Sequence, residues 1–265
     1  MQNDKLPSSH NNPPRDDYDR AARLTEFYGA ENLIRCASGV LRFCEQAGVW
    51  LPLSEKQMKA DMIRVFRETG EQVKNNLLNN AVNVFMHTDY QSEISLNQGD
   101  PNLLVLDGLY WTYNDGEWAP SQPDRSLMRT SRLNFSQTDE EPDEFDRFLE
   151  SVFANDDGSA LEDQSALKTL IYEMIGCCMT AHAGWEKAFM MFGPGANGKS
   201  VIAGVLKAII GTENIAAVPP KRMGDKFQTS HLDGKLLNLV TELDQREQIP
   251  DGALKALISG ETITV

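Results

Sequence analysis

A chain of 265 residues, 41% hydrophobic, holds enough apolar material for one large core or two modest ones, and two are preferred here. Met1 is followed by Gln-Asn-Asp-Lys and not by a basic segment running into an apolar one, and no 18-residue apolar stretch occurs, so a soluble protein is expected. The formal charge of −14 excludes a broadly basic nucleic-acid surface, but it is unevenly spread. Residues 1–160 carry 27 acids against 15 bases, whereas residues 161–265 carry 12 against 10. Any DNA-facing surface is therefore expected in the second part, at Lys221, Arg222, Lys226, Lys235 or Lys255, because the acidic first part repels a phosphate backbone. The four cysteines make no C-x-x-C pair and fit a reduced, cytoplasmic protein.

Residues 1 to about 20, with Ser8-Ser9-His10-Asn11-Asn12-Pro13-Pro14, lack apolar periodicity and read as a disordered tail or linker. Apolar residues return from Leu33 to Phe43, where helix and strand stay open, and Ala47 to Leu53 reads as a turn into a strand with a half-buried Trp50. Ser54 with Gln57 resembles a capping box, and Met58, Met62, Val65 and Phe66 repeat at helical spacing before Gly70. A second helix is expected from about Val73 to Met86, with His87 as a polar group at its C-terminus. Leu103 to Leu106, Leu109 to Tyr113 and Glu117-Trp118 read as strands, the last two joined by a turn at Asn114-Asp115-Gly116 that needs positive φ. Trp111, Tyr113 and Trp118 form either a small aromatic core or, less favoured in acidic surroundings, a base-stacking platform. The acids from Asp139 to Glu144 precede Phe145, Phe148 and Leu149 and suit a helix N-terminus better than a metal site. A strongly apolar helix is expected from Leu167 to Met179.

The next stretch organises the rest. Phe189-Met190-Met191-Phe192 reads as a short buried strand, and Gly193-Pro194-Gly195-Ala196-Asn197-Gly198-Lys199-Ser200 matches G-x-x-x-x-G-K-[ST]. In that pattern glycines let backbone N–H groups turn inward around phosphate oxygens, the lysine reaches the β and γ phosphates, and the hydroxyl ligates Mg²⁺. Val201, Ile202, Val205, Leu206, Ile209 and Ile210 predict a helix that Gly211 stops, with its positive end toward the phosphates. Strands are expected at Ile215 to Val218, ended by Pro219-Pro220, and at Lys235 to Asp244. Glu242 and Asp244, two apart, would share one face of the second strand beside the nucleotide.

These residues carry a family resemblance. The loop, with Asn197 before its last glycine, resembles the phosphate loop of superfamily-three helicases, in particular the phage and plasmid primase-helicases related to the poxvirus one. Phe227 and Leu232-Asp233-Gly234-Lys235 resemble the family's lead-in to its second acidic strand, and Leu254 to Thr264 resembles the motif that opens its DNA-contacting hairpin, with Glu261 where the family usually has aspartate. The resemblance is strong over 188–265 and weak before 100. It implies a tail or linker at 1–20, a mixed α/β helper domain at 21–165, and the N-terminal portion of a phosphate-loop AAA+ ATPase core at 166–265, so an α/β and α+β chain. It also implies ATP and Mg²⁺ as cofactors, with Gly193, Gly195, Asn197, Gly198, Lys199 and Ser200 binding nucleotide and Ser200 and Glu242 serving the metal. Lys199, Glu242 and Asp244 would serve hydrolysis, and Lys255 would meet single-stranded DNA in a homo-oligomeric, hexameric ring. The acidic first part would recruit replication proteins. The family's sensor and arginine finger fall beyond Val265, so a fragment of a longer protein is expected. Two further readings stay open: a non-catalytic nucleotide-binding switch or interaction protein, and a phosphate-loop kinase or transferase.

Overall fold

The computed structural model describes residues 14–69, 74–94, 96–97, 103–181, 184–193, 195–242 and 251–261. Helices alternate with small sheets, a mixed α/β and α+β composition, in two compact units: residues 1–45 with 49–95, and residues 46–48 with 96–265.

The first unit opens with α1 (Asp17–Tyr28), which begins inside the stretch whose sequence reads as a tail. Asp16 caps it by accepting the Asp19 N–H at 2.8 Å, and Asp17 and Asp19 place negative charge at its positive end. Its buried side chains include Arg20 and Arg23, ion-paired back to Asp17 and Asp19, so a core-facing helix carries few of the apolar residues that would announce it. The ambiguous segment after it is two strands, β1 (Leu33–Cys36) and β2 (Gly39–Cys44). With β3 (Val49–Pro52) they form an antiparallel meander in which Ile34 faces Leu41 and Phe43 faces Trp50. Trp50 is fully buried, with its ring 5.3 Å from that of Phe43, and not half-buried as expected.

Ser54 Oγ accepts the Gln57 N–H at the start of α2 (Glu55–Thr69), the first half of a capping box; the Gln57 amide goes to Asp61 instead. After α3 (Asn75–His87), the core of this unit is complete. Leu24 and Tyr28 from α1, Met62 and Phe66 from α2, and Val82 and Phe85 from α3 meet with almost no exposed surface. Gly70, the expected stop of α2, lies outside the described residues.

In the second unit, β4 (Leu103–Leu106), β5 (Leu109–Asn114) and β6 (Glu117–Ser121) form an antiparallel sheet, and the expected turn holds Asp115 at φ +52° and Gly116 at +93°. The acidic run supplies Asp143, Glu144 and Asp146 to the first turn of α4 (Asp143–Val152). Helix α5 (Gln164–Met179) packs on it: Leu149, Ile171, Met174, Ile175 and Cys178 share one core with Ile202, Leu206 and Ile210 of α6 (Lys199–Ile210). Two-residue strands β7 (Ile215–Ala216) and β8 (Leu237–Asn238) pair in parallel against that core. They are shorter than the apolar runs predict because Asn238 takes over the ladder. Its side chain accepts the Val218 N–H at 2.8 Å and donates to the Val218 carbonyl at 2.9 Å. The short α7 (Lys226–Thr229) lies between them, and α8 (Asp251–Ile258) follows.

All four cysteines carry free thiols. Burial, with a smaller push from Cys177, raises the Cys178 thiol to about 11. Because the neutral form is favoured, its contribution to stability is full below the ordinary thiol range and is lost as pH rises through about 11. At pH 8 its thiolate is about 100-fold scarcer than that of an ordinary thiol, so iodoacetamide should alkylate half-exposed Cys177 well before Cys178. Equal rates by residue-resolved mass spectrometry would show that Cys178 is not held in this core. Among the described residues, no helix is long and apolar enough to cross a membrane.

Candidate nucleotide site

The expected strand ahead of the loop is not one. Among the described residues, 186–193 has no ladder partner, and Phe189, Met190 and Phe192 are 41%, 53% and 86% exposed. Only Met191 turns inward, onto the core beneath α6. An apolar run becomes a buried strand only where neighbours offer hydrogen bonds and cover both faces, and here only one side chain finds cover.

The loop itself closes tightly. Gly193 has φ +154°, Ala196 +60° and Gly198 +80°, and Gly198 is the N-cap of α6 with no side-chain oxygen capping the helix. Lacking that oxygen, the first turn has no side-chain cap, and the helix dipole favours an anion there. Lys199 starts the helix and folds back across the loop: its Nζ donates to the Gly193 carbonyl at 2.9 Å and to Asn197 Oδ1 at 2.5 Å. Behind the loop stand Phe148 and Val152 of α4, so close that a Cβ on Gly198 would lie 2.8 Å from Phe148 Cζ and 2.7 Å from Val152 Cγ2. This back wall has no sequence signal of its own; the two residues read only as the apolar face of a helix. Gly195, by contrast, faces open space.

The structure thus brings Gly193, Asn197 and Lys199 into hydrogen-bonded contact, with Gly195, Gly198 and exposed Ser200 beside them in the chain. Pro194 lies outside the described residues. The acidic segment is placed less directly. Strand β8 ends at Asn238, residues 239–242 are not strand, and Glu242 is exposed three residues past Leu239, which packs on the same core as α6. Three residues span at most about 10 Å. The expected strand to Asp244 is therefore corrected over 239–242, and Asp244 lies outside the described residues. Lys255 is exposed on α8, whose Leu254 and Leu257 pack against Ala216, Val218 and Met223.

The groups present fit a phosphate chain. A lysine ammonium, an uncapped helix start and an open glycine converge within eight residues. For Mg²⁺ the loop offers the exposed Ser200 hydroxyl; among the described residues no three or more of His, Cys, Asp and Glu gather as a metal cage.

Elsewhere, Tyr113 and Trp118 lie side by side on the exposed face of the second sheet, ring centroids 5.2 Å apart, flanked by Asp115 and Glu117. Between α4 and α5, Lys168 bridges Asp146 and Glu150 while Tyr172 donates to Asp146 at 2.7 Å; that hydrogen bond holds the carboxyl below its ordinary range. His87 is exposed, its Nδ1 2.8 Å from the Asn83 carbonyl one turn back.

Residues 191–265 match a sequence family described as a family of unknown function, DUF5906. No curated protein matches the chain.

Proposed function

We propose that this chain is the nucleotide-binding segment of an ATP-dependent DNA helicase of the superfamily-three, primase-helicase kind, working in the cytoplasm with ATP and Mg²⁺ as a homo-oligomeric, hexameric ring on single-stranded DNA. The observation that carries this reading is the Lys199 ammonium, folded over a glycine loop at the start of α6. Lys199 would offset charge on the terminal phosphates, the amides around Gly195 to Gly198 would hold the chain of phosphates, and Ser200 would ligate the metal. Ser200, with Glu242, would hold Mg²⁺ beside the triphosphate, where the ion would supply positive charge against the negative charge of the reacting phosphate. Glu242 would orient the attacking water and Asp244 would assist the metal indirectly; Lys255 would meet the DNA backbone. The acidic residues of the first unit favour contacts with other replication proteins over DNA.

Titrating ATP into the full chain with Mg²⁺ tests the reading. Lys199→Ala should weaken binding by about 100-fold, the loss of one or two charge-assisted contacts in a phosphate site. Equal affinity in both proteins would sink it. A non-catalytic nucleotide-binding switch or interaction protein is the second reading, favoured by the ending of β8 at Asn238, short of Glu242. Nucleotide binding with no DNA-stimulated hydrolysis would select it.

A further inference from the structure

We propose that the exposed face of β5 and β6 docks an arginine-bearing peptide segment of a partner protein, with Tyr113 and Trp118 receiving the guanidinium and Asp115 and Glu117 supplying the attracting charge. No nucleotide at the loop is needed for it.

The strand register builds the face. Tyr113 lies opposite Trp118 and Trp111 opposite Pro120, and residues two apart on a strand share a face, so three aromatic rings and a proline ring form one patch. Tyr113 and Trp118 are 42% and 44% exposed, Pro120 is exposed and Trp111 is half-buried. The Tyr113 and Trp118 centroids are 5.2 Å apart and their planes meet at 50°, an open V and not a closed stack. A partner strand could add to the sheet's edge, but β6 is that edge and carries Pro120, which has no N–H to give. The face is therefore the usable surface.

Charge decides what it accepts. From Asp89 to Asp124 the sequence holds seven acids and no lysine or arginine. Two of the acids sit at this hairpin, Asp115 in its turn and Glu117 next to Trp118. Tyr113 and Asp115 are two residues apart, at most about 7 Å along the chain, inside the screening length of about 8 Å at physiological salt. Among the described residues neither carboxylate is ion-paired. Among the same residues, arginines lie over Phe27, Tyr28, Phe66 and Phe85, and none lies over Tyr113 or Trp118. A nucleic-acid backbone is repelled by this field, which disfavours base stacking here. Arginine answers both features: its planar, weakly hydrated guanidinium stacks on aromatic faces and pairs with carboxylates, whereas a lysine ammonium is compact and strongly hydrated. The Trp111 and Pro120 surfaces beside the open rings suit the apolar stem of such a side chain.

The test uses the full chain and a dye-labelled peptide of repeating arginine and alanine, followed by fluorescence anisotropy. Its lysine and citrulline counterparts and a labelled single-stranded oligothymidylate are run beside it. Wild type should bind the arginine peptide about threefold more tightly than the lysine one, with the neutral citrulline peptide below detection. Trp118→Leu and Tyr113→Leu keep apolar bulk but remove a π face, and each should weaken the arginine complex about fivefold, whereas Trp118→Phe should keep most of the affinity. Asp115→Asn combined with Glu117→Gln should also weaken it about fivefold. Should a leucine variant fail to fold, the carboxylate double variant decides. Affinity unchanged in the folded leucine variants, or in the double variant, overturns the proposal, because the attraction then belongs to the chain's general negative charge. A wild type that does not bind the arginine peptide overturns it as well. Oligothymidylate bound by wild type and released by Trp118→Leu would make the face a base-stacking platform instead.

Discussion

Gly198→Ala should cost the second unit about 2–5 kcal/mol and abolish measurable ATP binding, the sum of a left-handed backbone penalty and an overpacked contact. Gly198 holds φ +80° at the N-cap of α6, so any side chain there starts from a strained backbone. The new methyl would also meet Phe148 Cζ at 2.8 Å and Val152 Cγ2 at 2.7 Å. Neither neighbour moves cheaply, since α4 is fixed by Leu149 in the core shared with α5 and α6. Gly195 supplies the contrast within the same loop. A Cβ there meets nothing within 4 Å, so Gly195→Ala should change stability by less than about 0.5 kcal/mol. It should still weaken ATP binding about tenfold, because a methyl group would stand where a phosphate oxygen approaches the backbone. Urea unfolding and calorimetric titration of the two variants separate the cases. A Gly198→Ala protein as stable as wild type would mean that the loop is not braced by α4.

Phe85→Ala is expected to destabilise the first unit by about 3–5 kcal/mol, enough to unfold a marginal domain. The Phe85 ring is completely buried and lies 6.0 Å from that of Tyr28. The Arg35 guanidinium sits 4.5 Å from its centroid while Nε donates to the Phe85 carbonyl at 2.6 Å and Nη2 to Thr25 Oγ1 at 2.8 Å. Burial holds the Arg35 pKa below the usual guanidinium value, with Asp89 opposing, so the aromatic face and the two oxygens stand in for lost water. Removing the ring therefore opens a cavity and strips one partner from a buried cation. Phe85→Leu keeps most of the volume and should cost less than half as much. Trp50 is the sole tryptophan of this unit, and with Trp111, Trp118 and Trp185 replaced by phenylalanine its fluorescence reports this unfolding alone. A midpoint shift equivalent to less than 1 kcal/mol for Phe85→Ala would show that the core is not centred on this ring.

Much of this was legible in the chain itself, for reasons that are local. Helix α6 follows from apolar spacing ended by Gly211, α2 from Ser54 and its Met58, Met62, Val65 and Phe66 stripe, and the β5–β6 turn from residues that tolerate positive φ. The loop residues Gly193, Asn197, Gly198 and Lys199 are contiguous, so their meeting needed no long-range information.

What depended on distant partners was not legible. Helix α1 escaped because two of its core-facing positions are arginines, whose burial is possible only through acids one turn away and an aromatic surface such as Phe66 beside Arg20. Phe189 to Phe192 has the composition of a buried strand, yet burial is a property of neighbours, and only Met191 has them. Tertiary structure alone decided that α4 braces the loop at Gly198 and that Asn238 replaces the ladder after β7. Periodicity and turn chemistry are written within a few residues; packing and hydrogen-bond partners are settled only when segments far apart in the chain compete for the same space.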